Sequence, residues 1–273
     1  MLVDTHTHLY LNDFDADREE VLQRAFDAGV RRLLLPAVDS SSYAALRKMA
    51  SDHPGACFAM AGLHPTSVDE GFESELAFVK HALAEDCCVA VGEIGLDLYW
   101  DTTFLSQQIE ALRCQLEMAC DAGLPVVLHL RSAKMPSDGD AYELFFSLWG
   151  EMAVSRRPGP PAGGQATGVM HCFSGTVEQA LRAVELGFYV GVGGVVTYKK
   201  SMMQQVVERL PVERMLLETD APYLAPVPWR GKRNESAYVV EVARKVAGIK
   251  RVSYDAVAHQ TTLNAERLFR LPR

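Results

Sequence analysis

The chain of 273 residues has no C-x-x-C pair, no surplus of basic residues, no apolar run long enough for a membrane helix and no internal repeat. Each absence removes a class of function. Without such pairs, Cys57, Cys87, Cys88, Cys114, Cys120 and Cys172 read as reduced, buried thiols of a cytoplasmic protein, not as a disulfide framework. A net charge of −8 leaves no broad basic track for long nucleic acid, although a small site for one phosphate stays open. The first residues, Met1-Leu2-Val3-Asp4-Thr5-His6, lack a basic segment followed by an apolar one, so neither a signal peptide nor a membrane association is expected. Gly191, Gly193 and Gly194 do not complete G-x-G-x-x-G, which removes a dinucleotide site.

What is present is alternation. Short apolar, β-branched runs at 2–5, 32–36, 57–62, 89–93, 125–130, 168–172, 188–193 and 214–219 read as eight strands. Segments of helical period lie between them at 18–28, 42–51, 74–84, 104–122, 177–186 and 202–209. Gly29, Gly123 and Gly187 stop helices just before the next strand. Eight such units in a chain of this size predict a single (β/α)8 barrel of α/β class, with an open doubly wound sheet as runner-up. Two further helices, at 237–247 and 254–269, are expected to close the barrel. The stretch 155–168 is rich in proline and glycine and reads as a flexible insertion before the sixth strand.

Polar residues with ligand chemistry fall at the carboxyl ends of these strands. His6 and His8 end the first strand, and their spacing points both imidazoles to one face of an extended chain. Glu93 ends the fourth, after an apolar run that makes a lone carboxylate costly, unless it pairs with Arg131. His129 ends the fifth and His171 the sixth, where a hydrogen-bonded core histidine is the competing reading for each. Asp220 ends the eighth. Taken singly these signals are weak. A barrel, however, gathers all the carboxyl ends at one mouth, which makes the six residues a candidate centre for divalent ions.

The motifs Asp4-Thr5-His6-Thr7-His8, Gly62-Leu63-His64-Pro65, Gly92-Glu93-Ile94-Gly95-Leu96-Asp97, His171-Cys172-Phe173-Ser174-Gly175, Glu218-Thr219-Asp220-Ala221-Pro222-Tyr223-Leu224 and Arg230-Gly231-Lys232-Arg233-Asn234-Glu235 occur in this order. Together they resemble the TatD family of metal-dependent deoxyribonucleases over nearly the whole chain. The resemblance implies an amidohydrolase-type barrel with two divalent ions, Mg, Mn or Zn. It assigns His6, His8, Glu93 and Asp220 to one ion and Glu93, His129 and His171 to the other. The implied reaction is hydrolysis of phosphodiester bonds of DNA by a metal-activated water, with Asp220 and Glu93 as catalytic residues. Net charge and a concave mouth predict a preference for ends or single strands, or for a small phosphodiester. No stable protein partner is implied. Arg131 is a candidate phosphate ligand or the partner of a structural carboxylate. Ser174 is a candidate anion contact or a plain helix cap. His64 is a candidate substrate contact or a support for the ligands. Lys199, Lys200, Arg230, Lys232 and Arg233 form a candidate basic rim, and the family pattern singles out Arg233. The segment 155–168 and the run Ser132-Ala133-Lys134-Met135 depart from the family pattern. A hydrolase of acyl or aminoacyl conjugates is the alternative, since the same ions would polarise a carbonyl.

Overall fold

The computed structural model describes residues 1–85, 87–152 and 167–272. Its frame is one parallel sheet of eight strands in the order in which they occur in the chain. These are β1 (Leu2–Asp4), β2 (Val30–Pro36), β3 (Cys57–Ala61), β4 (Cys88–Asp97), β5 (Val126–Arg131), β6 (Gly168–His171), β7 (Phe188–Val192) and β8 (Met215–Leu217). Helices α1 (Arg18–Asp27), α2 (Ser40–Asp52), α3 (Phe72–Leu83), α4 (Leu105–Ala122), α5 (Ala141–Glu151), α6 (Val177–Glu185) and α7 (Met203–Arg209) connect them. Two more, α8 (Val239–Lys250) and α9 (Tyr254–Phe269), follow β8. The sheet closes on itself beyond the ladder of β1. The Thr5 amide donates to the Leu217 carbonyl at 3.0 Å, the Asp220 amide to His6 at 2.9 Å and the His8 amide to Ala221 at 2.8 Å. The open doubly wound sheet is thereby excluded.

One apolar residue from every strand meets in a single cluster: Val3, Leu34, Met60, Ala90, Val127, Val169, Tyr189 and Leu216. Only the inside of a barrel brings all eight strands to one place. Leu268, Phe269 and Leu271, from the end of α9 and the residues after it, complete this floor. The outer core lies between the strands and the helices, with Leu22, Leu46, Leu112, Phe145 and Val242 among its buried members.

Three expectations need correction. A helix, α5, fills the interval between the fifth and sixth strands, where the sequence reading placed none. The breakers Pro136, Gly139 and Asp140 mask its start, yet the Asp140 side chain caps it, accepting from the Tyr142 and Glu143 amides. The fourth strand does not end at Glu93 but runs on to Asp97, because Ile94 to Asp97 stay paired with Leu128 to Arg131. The cysteines are all free, but only Cys57 is buried; Cys87, Cys88, Cys114, Cys120 and Cys172 are half-buried. The insertion expected at 155–168 lies, up to residue 166, outside the described residues. Among the described residues no helix is long and apolar enough to cross a membrane.

Candidate metal centre

Strand periodicity carries the apolar floor up into a polar layer. Two residues beyond the floor position Val127 comes His129; beyond Val169, His171; beyond Leu216, Glu218 and then Asp220; beyond Met60, Gly62 and then His64. Side chains two apart share a face, so each strand that is apolar below is chemical above. On β4 the count changes. Its pairing with β5 passes from Val91–Val126 to Ile94–Leu128, three residues against two. That bulge moves Glu93 onto the inner face, where plain alternation from Ala90 would have put Gly92. Glycines keep the layer roomy. A Cβ at Gly191 would lie 2.7 Å from Glu218 Oε2, and one at Gly62 would lie 2.7 Å from the backbone of Gly92.

The two oxygens of Glu93 face different groups of histidines. Oε2 lies 3.0 Å from His6 Nε2 and 3.8 Å from His8 Nε2. Oε1 lies 2.9 Å from His129 Nδ1, 3.5 Å from His64 Nε2 and 3.7 Å from His171 Nε2. Asp220 Oδ1 sits between the groups, 3.5 Å from His8 Nε2, 3.7 Å from His171 Nε2 and 4.0 Å from His6 Nε2. The Nε2 atoms of His6 and His8 approach to 3.3 Å, and the rings of His6 and His171 stack with centroids 3.3 Å apart. Ligands bound about 2 Å from one small cation stand roughly 3 to 3.5 Å from each other. The donor set and its spacing therefore fit divalent ions. The triplets His6, His8, Glu93 and His64, Glu93, His129 each bring their ligand atoms within 4.8 Å of one another.

Further groups fix the rings from behind. Tyr10 donates its hydroxyl to the Pro36 carbonyl at 2.6 Å, so its oxygen accepts from His8 Nδ1 at 2.9 Å. That tautomer leaves the His8 Nε2 lone pair facing the cluster. Asp97 Oδ2 lies 2.9 Å from His129 Nε2. Glu218 Oε2 lies 3.0 Å from His171 Nδ1, without the alignment of a hydrogen bond, while its Oε1 accepts from the Cys172 amide at 2.5 Å. His6 Nδ1 has no hydrogen-bond partner among the described residues. The helices hold this frame too. Two buried glutamines of α4 reach the sheet, Gln108 accepting from the Asp97 amide and Gln115 from the Leu63 amide. At the β1–β8 seam, the Asp4 carboxylate accepts from the Thr219 amide and hydroxyl at 2.9 and 2.6 Å.

The histidines differ in charge. Burial, and then the neighbouring His171, press His6 down to about 4. Burial also acts against the charged forms of His129 and His171, but carboxylates outweigh it. Hydrogen bonds to Asp97 and Glu93 lift His129 to about 9, and Glu218 and Glu93 lift His171 to about 10. Against its own burial, the surrounding histidines hold Glu93 well below the usual carboxylate range. Asp220 is held low in the same way, against its own burial, by the neighbouring imidazoles of His8, His171 and His6.

All six expected ligands are thus brought together, and His64 joins them. His64 Nδ1 accepts from the Thr66 amide at 3.1 Å, so the neutral ring carries its proton on Nε2, toward Glu93. Arg131 extends beyond His129 and lays its guanidinium over the Tyr99 ring, 3.9 Å from the centroid. The Ser174 amide donates to the Tyr142 hydroxyl at 2.9 Å, and Thr176 rather than Ser174 caps α6. Arg233 grips Asp17 with both terminal nitrogens, at 2.9 and 2.7 Å, and the Asp13 carbonyl at 2.7 Å. Arg230 and Lys232 lie over the rings of Tyr198 and Trp229. Sequence reasoning assigned no role to Tyr10, Asp97 or Glu218. The spacing held a signal for two of them, since Asp97 follows Glu93 by four residues and Glu218 precedes Asp220 by two.

The model of a family described as TatD related DNase matches residues 3–270. A metal-dependent hydrolase of Bacillus subtilis, YabD, is 36% identical over 99% of this chain and 100% of its own length. A 3'-5' ssDNA/RNA exonuclease, TatD, from Erwinia billingiae is 31% identical over 99% of this chain and 100% of its own. The crystal structure of the TatD homologue YjjV from Escherichia coli superposes with a TM-score of 0.84, at 32% identity, over 99% of this chain and 98% of that one.

Proposed function

As the chain belongs to the TatD related DNase family, we propose that it hydrolyses phosphodiester bonds of DNA, at ends or in single strands, at a centre for two divalent ions. The observation that carries this reading is the two-sided Glu93 carboxylate, with one oxygen toward His6 and His8 and the other toward His129 and His171. A carboxylate with imidazoles on both sides would suit a pair of adjacent ions. The ions, when bound, supply Lewis acidity toward phosphoryl oxygen and a water acidified toward neutral pH. His6, His8, Glu93 and Asp220 would hold one of them, and Glu93, His129 and His171 the other. The imidazoles favour zinc, while the carboxylates favour magnesium or manganese.

The side chains divide the remaining work. Asp220 is ionised at neutral pH, faces both histidine groups and accepts the proton of the attacking water. Glu93 orients the histidines on either side of it. His64 keeps its Nε2–H toward Glu93 and would donate to substrate only once an ion takes that carboxylate. Arg131 uses the face of its guanidinium on Tyr99, which leaves the in-plane N–H groups as the ones that grip a phosphate. Ser174, exposed three residues after His171, serves as a further anion contact. Arg233 serves the substrate only by exchanging Asp17 for a phosphate. The free thiols suit a reducing cytoplasm, where we place the protein.

The experiment is a parallel screen of metal-loaded protein on single-stranded oligonucleotides, closed circular duplex and acyl esters, with ion content measured on the same sample. Turnover of single strands well above closed duplex, at about two ions per chain, is the expected result. Ester turnover with inert oligonucleotides would overturn the reading.

A further inference from the structure

Beside the metal centre, the loops after β4 and β5 build a second surface. Trp100 is 67% exposed there. Its ring stands edge-on to Tyr99, with centroids 5.0 Å apart and planes at 83°. Two cations share this aromatic pair. The Arg131 guanidinium lies 3.9 Å from the Tyr99 centroid and 5.2 Å from that of Trp100; the Lys134 ammonium lies 4.5 and 5.9 Å away. A cavity of about 250 Å³ opens between the two loops, lined by Leu98, Tyr99, Trp100, Thr102, Lys134 and Asp138 among others. Drug-sized sites start near 300 Å³, so this one suits a single flat ring system.

An exposed indole, a ring-sized cavity and two cations are the parts a single-stranded nucleic acid uses: a face for the base and positive charge for its phosphate. In a chain of net charge −8, Arg131 and Lys134 bring two positive charges to this aromatic pair. Asp138 on the cavity wall repels phosphate from the interior, so the neutral base takes the cavity and the phosphate the cationic edge. The surface is tied to the chemistry through one side chain. Asp97 Oδ1 accepts from the amides of Tyr99 and Trp100 at 2.8 and 3.1 Å, while its Oδ2 faces His129 Nε2 at 2.9 Å. The carboxylate that orients a metal-site histidine therefore also sets the position of the aromatic pair.

We propose that Trp100, Tyr99, Lys134 and Arg131 form a nucleotide subsite next to the scissile bond, in which Trp100 stacks the base. The proposal rests on the phosphodiesterase reading for its substrate class, and its test separates the two. Wild type, Trp100→Ala and Trp100→Phe are compared on oligothymidylate and on an abasic deoxyribose-phosphate chain of equal length. Fluorescence of the indoles is followed on adding oligothymidylate to the metal-loaded protein. Stacking predicts that wild type favours the base-bearing chain in KM by about tenfold. Trp100→Ala brings that ratio near one, and Trp100→Phe restores most of it. Quenching of the emission by oligothymidylate is expected in wild type and is lost in Trp100→Phe. Cleavage with an unchanged KM ratio in Trp100→Ala and no Trp100-dependent quenching would overturn the subsite and leave the catalytic reading standing. Trp100-dependent quenching without cleavage of either chain supports the subsite and removes the catalytic reading instead.

Discussion

On one side of Glu93 stand His6 and His8; on the other stand His129 and His171. The side chains are alike, but what lies behind them is not. His129 and His171 are backed by the carboxylates of Asp97 and Glu218, which keep them protonated when no ion is bound. His8 is backed by a neutral phenol, and His6 by no hydrogen-bond partner among the described residues. On the His6 side, burial favours a neutral imidazole that can accept an ion without losing a proton. The other must first release protons. Burial acts against the charged forms of His6, His129 and His171 alike, and only the two rings with a second carboxylate behind them are lifted.

The largest effect should come from removing what the two sides share. Glu93→Gln deletes the charge facing both groups, and breaking a buried charge pair costs about 3–5 kcal/mol. Turnover should fall on the order of a thousandfold, with ion content reduced on both sides. Retention of both ions, measured by elemental analysis, would show that the sides do not depend on a common carboxylate. Asp220→Asn comes next. It keeps one ligand oxygen and removes the proton acceptor, so turnover should fall by roughly a hundredfold or more while ion content falls only modestly. A parallel collapse of both would assign Asp220 to binding alone.

Asp97→Asn and Glu218→Gln test the asymmetry itself. Each should weaken one ion by about 10–100-fold and leave the other nearly unchanged, read by titration against a competing chelator. Equal weakening of both ions would erase the distinction between the sides. The last test is the pH dependence. Without ions, His129 and His171 have pKa values raised from 6.5 to about 9 and about 10. Raised values contribute stability that is fully present below the unfolded pKa and is lost as pH rises through about 9 to 10. The metal-free protein should therefore melt at lower temperature at pH 10 than at pH 6.5. Ions must displace the same protons, so their affinity should rise over that interval, by up to about tenfold per pH unit for each proton released. Calorimetry in buffers of different ionisation enthalpy counts those protons, and a count of zero contradicts the assignment.

The barrel was legible because parallel strands buried on both faces leave short apolar runs, and all eight were found within a few residues of their limits. The six candidate ligands were legible as a group because strand ends in a barrel converge. The length of β4 was not. Whether a strand continues past a glutamate depends on its neighbour, and the pairing of Asp97 with Arg131 is information that only β5 supplies. Helix α5 was hidden because its buried residues, from Ala141 and Tyr142 to Leu148 and Trp149, are too many for a narrow stripe. Asp97 and Glu218 stood in plain view, but an acid acting behind a histidine has no local pattern. Its partner arrives from another strand.

Gly191 carries a consequence for how this centre tolerates inheritance. A methyl group there would meet the Glu218 carboxylate at 2.7 and 2.8 Å, and Glu218 is the group that stands behind His171. Alanine for glycine in a buried strand looks innocuous and even favours the strand. Here it would displace an acid, which would turn an imidazole, which would change the grip on an ion, although no charged residue had been altered. Lineages that keep every ligand could still lose the centre through this one hydrogen-to-methyl change, and a scan confined to ligand positions would pass them as intact.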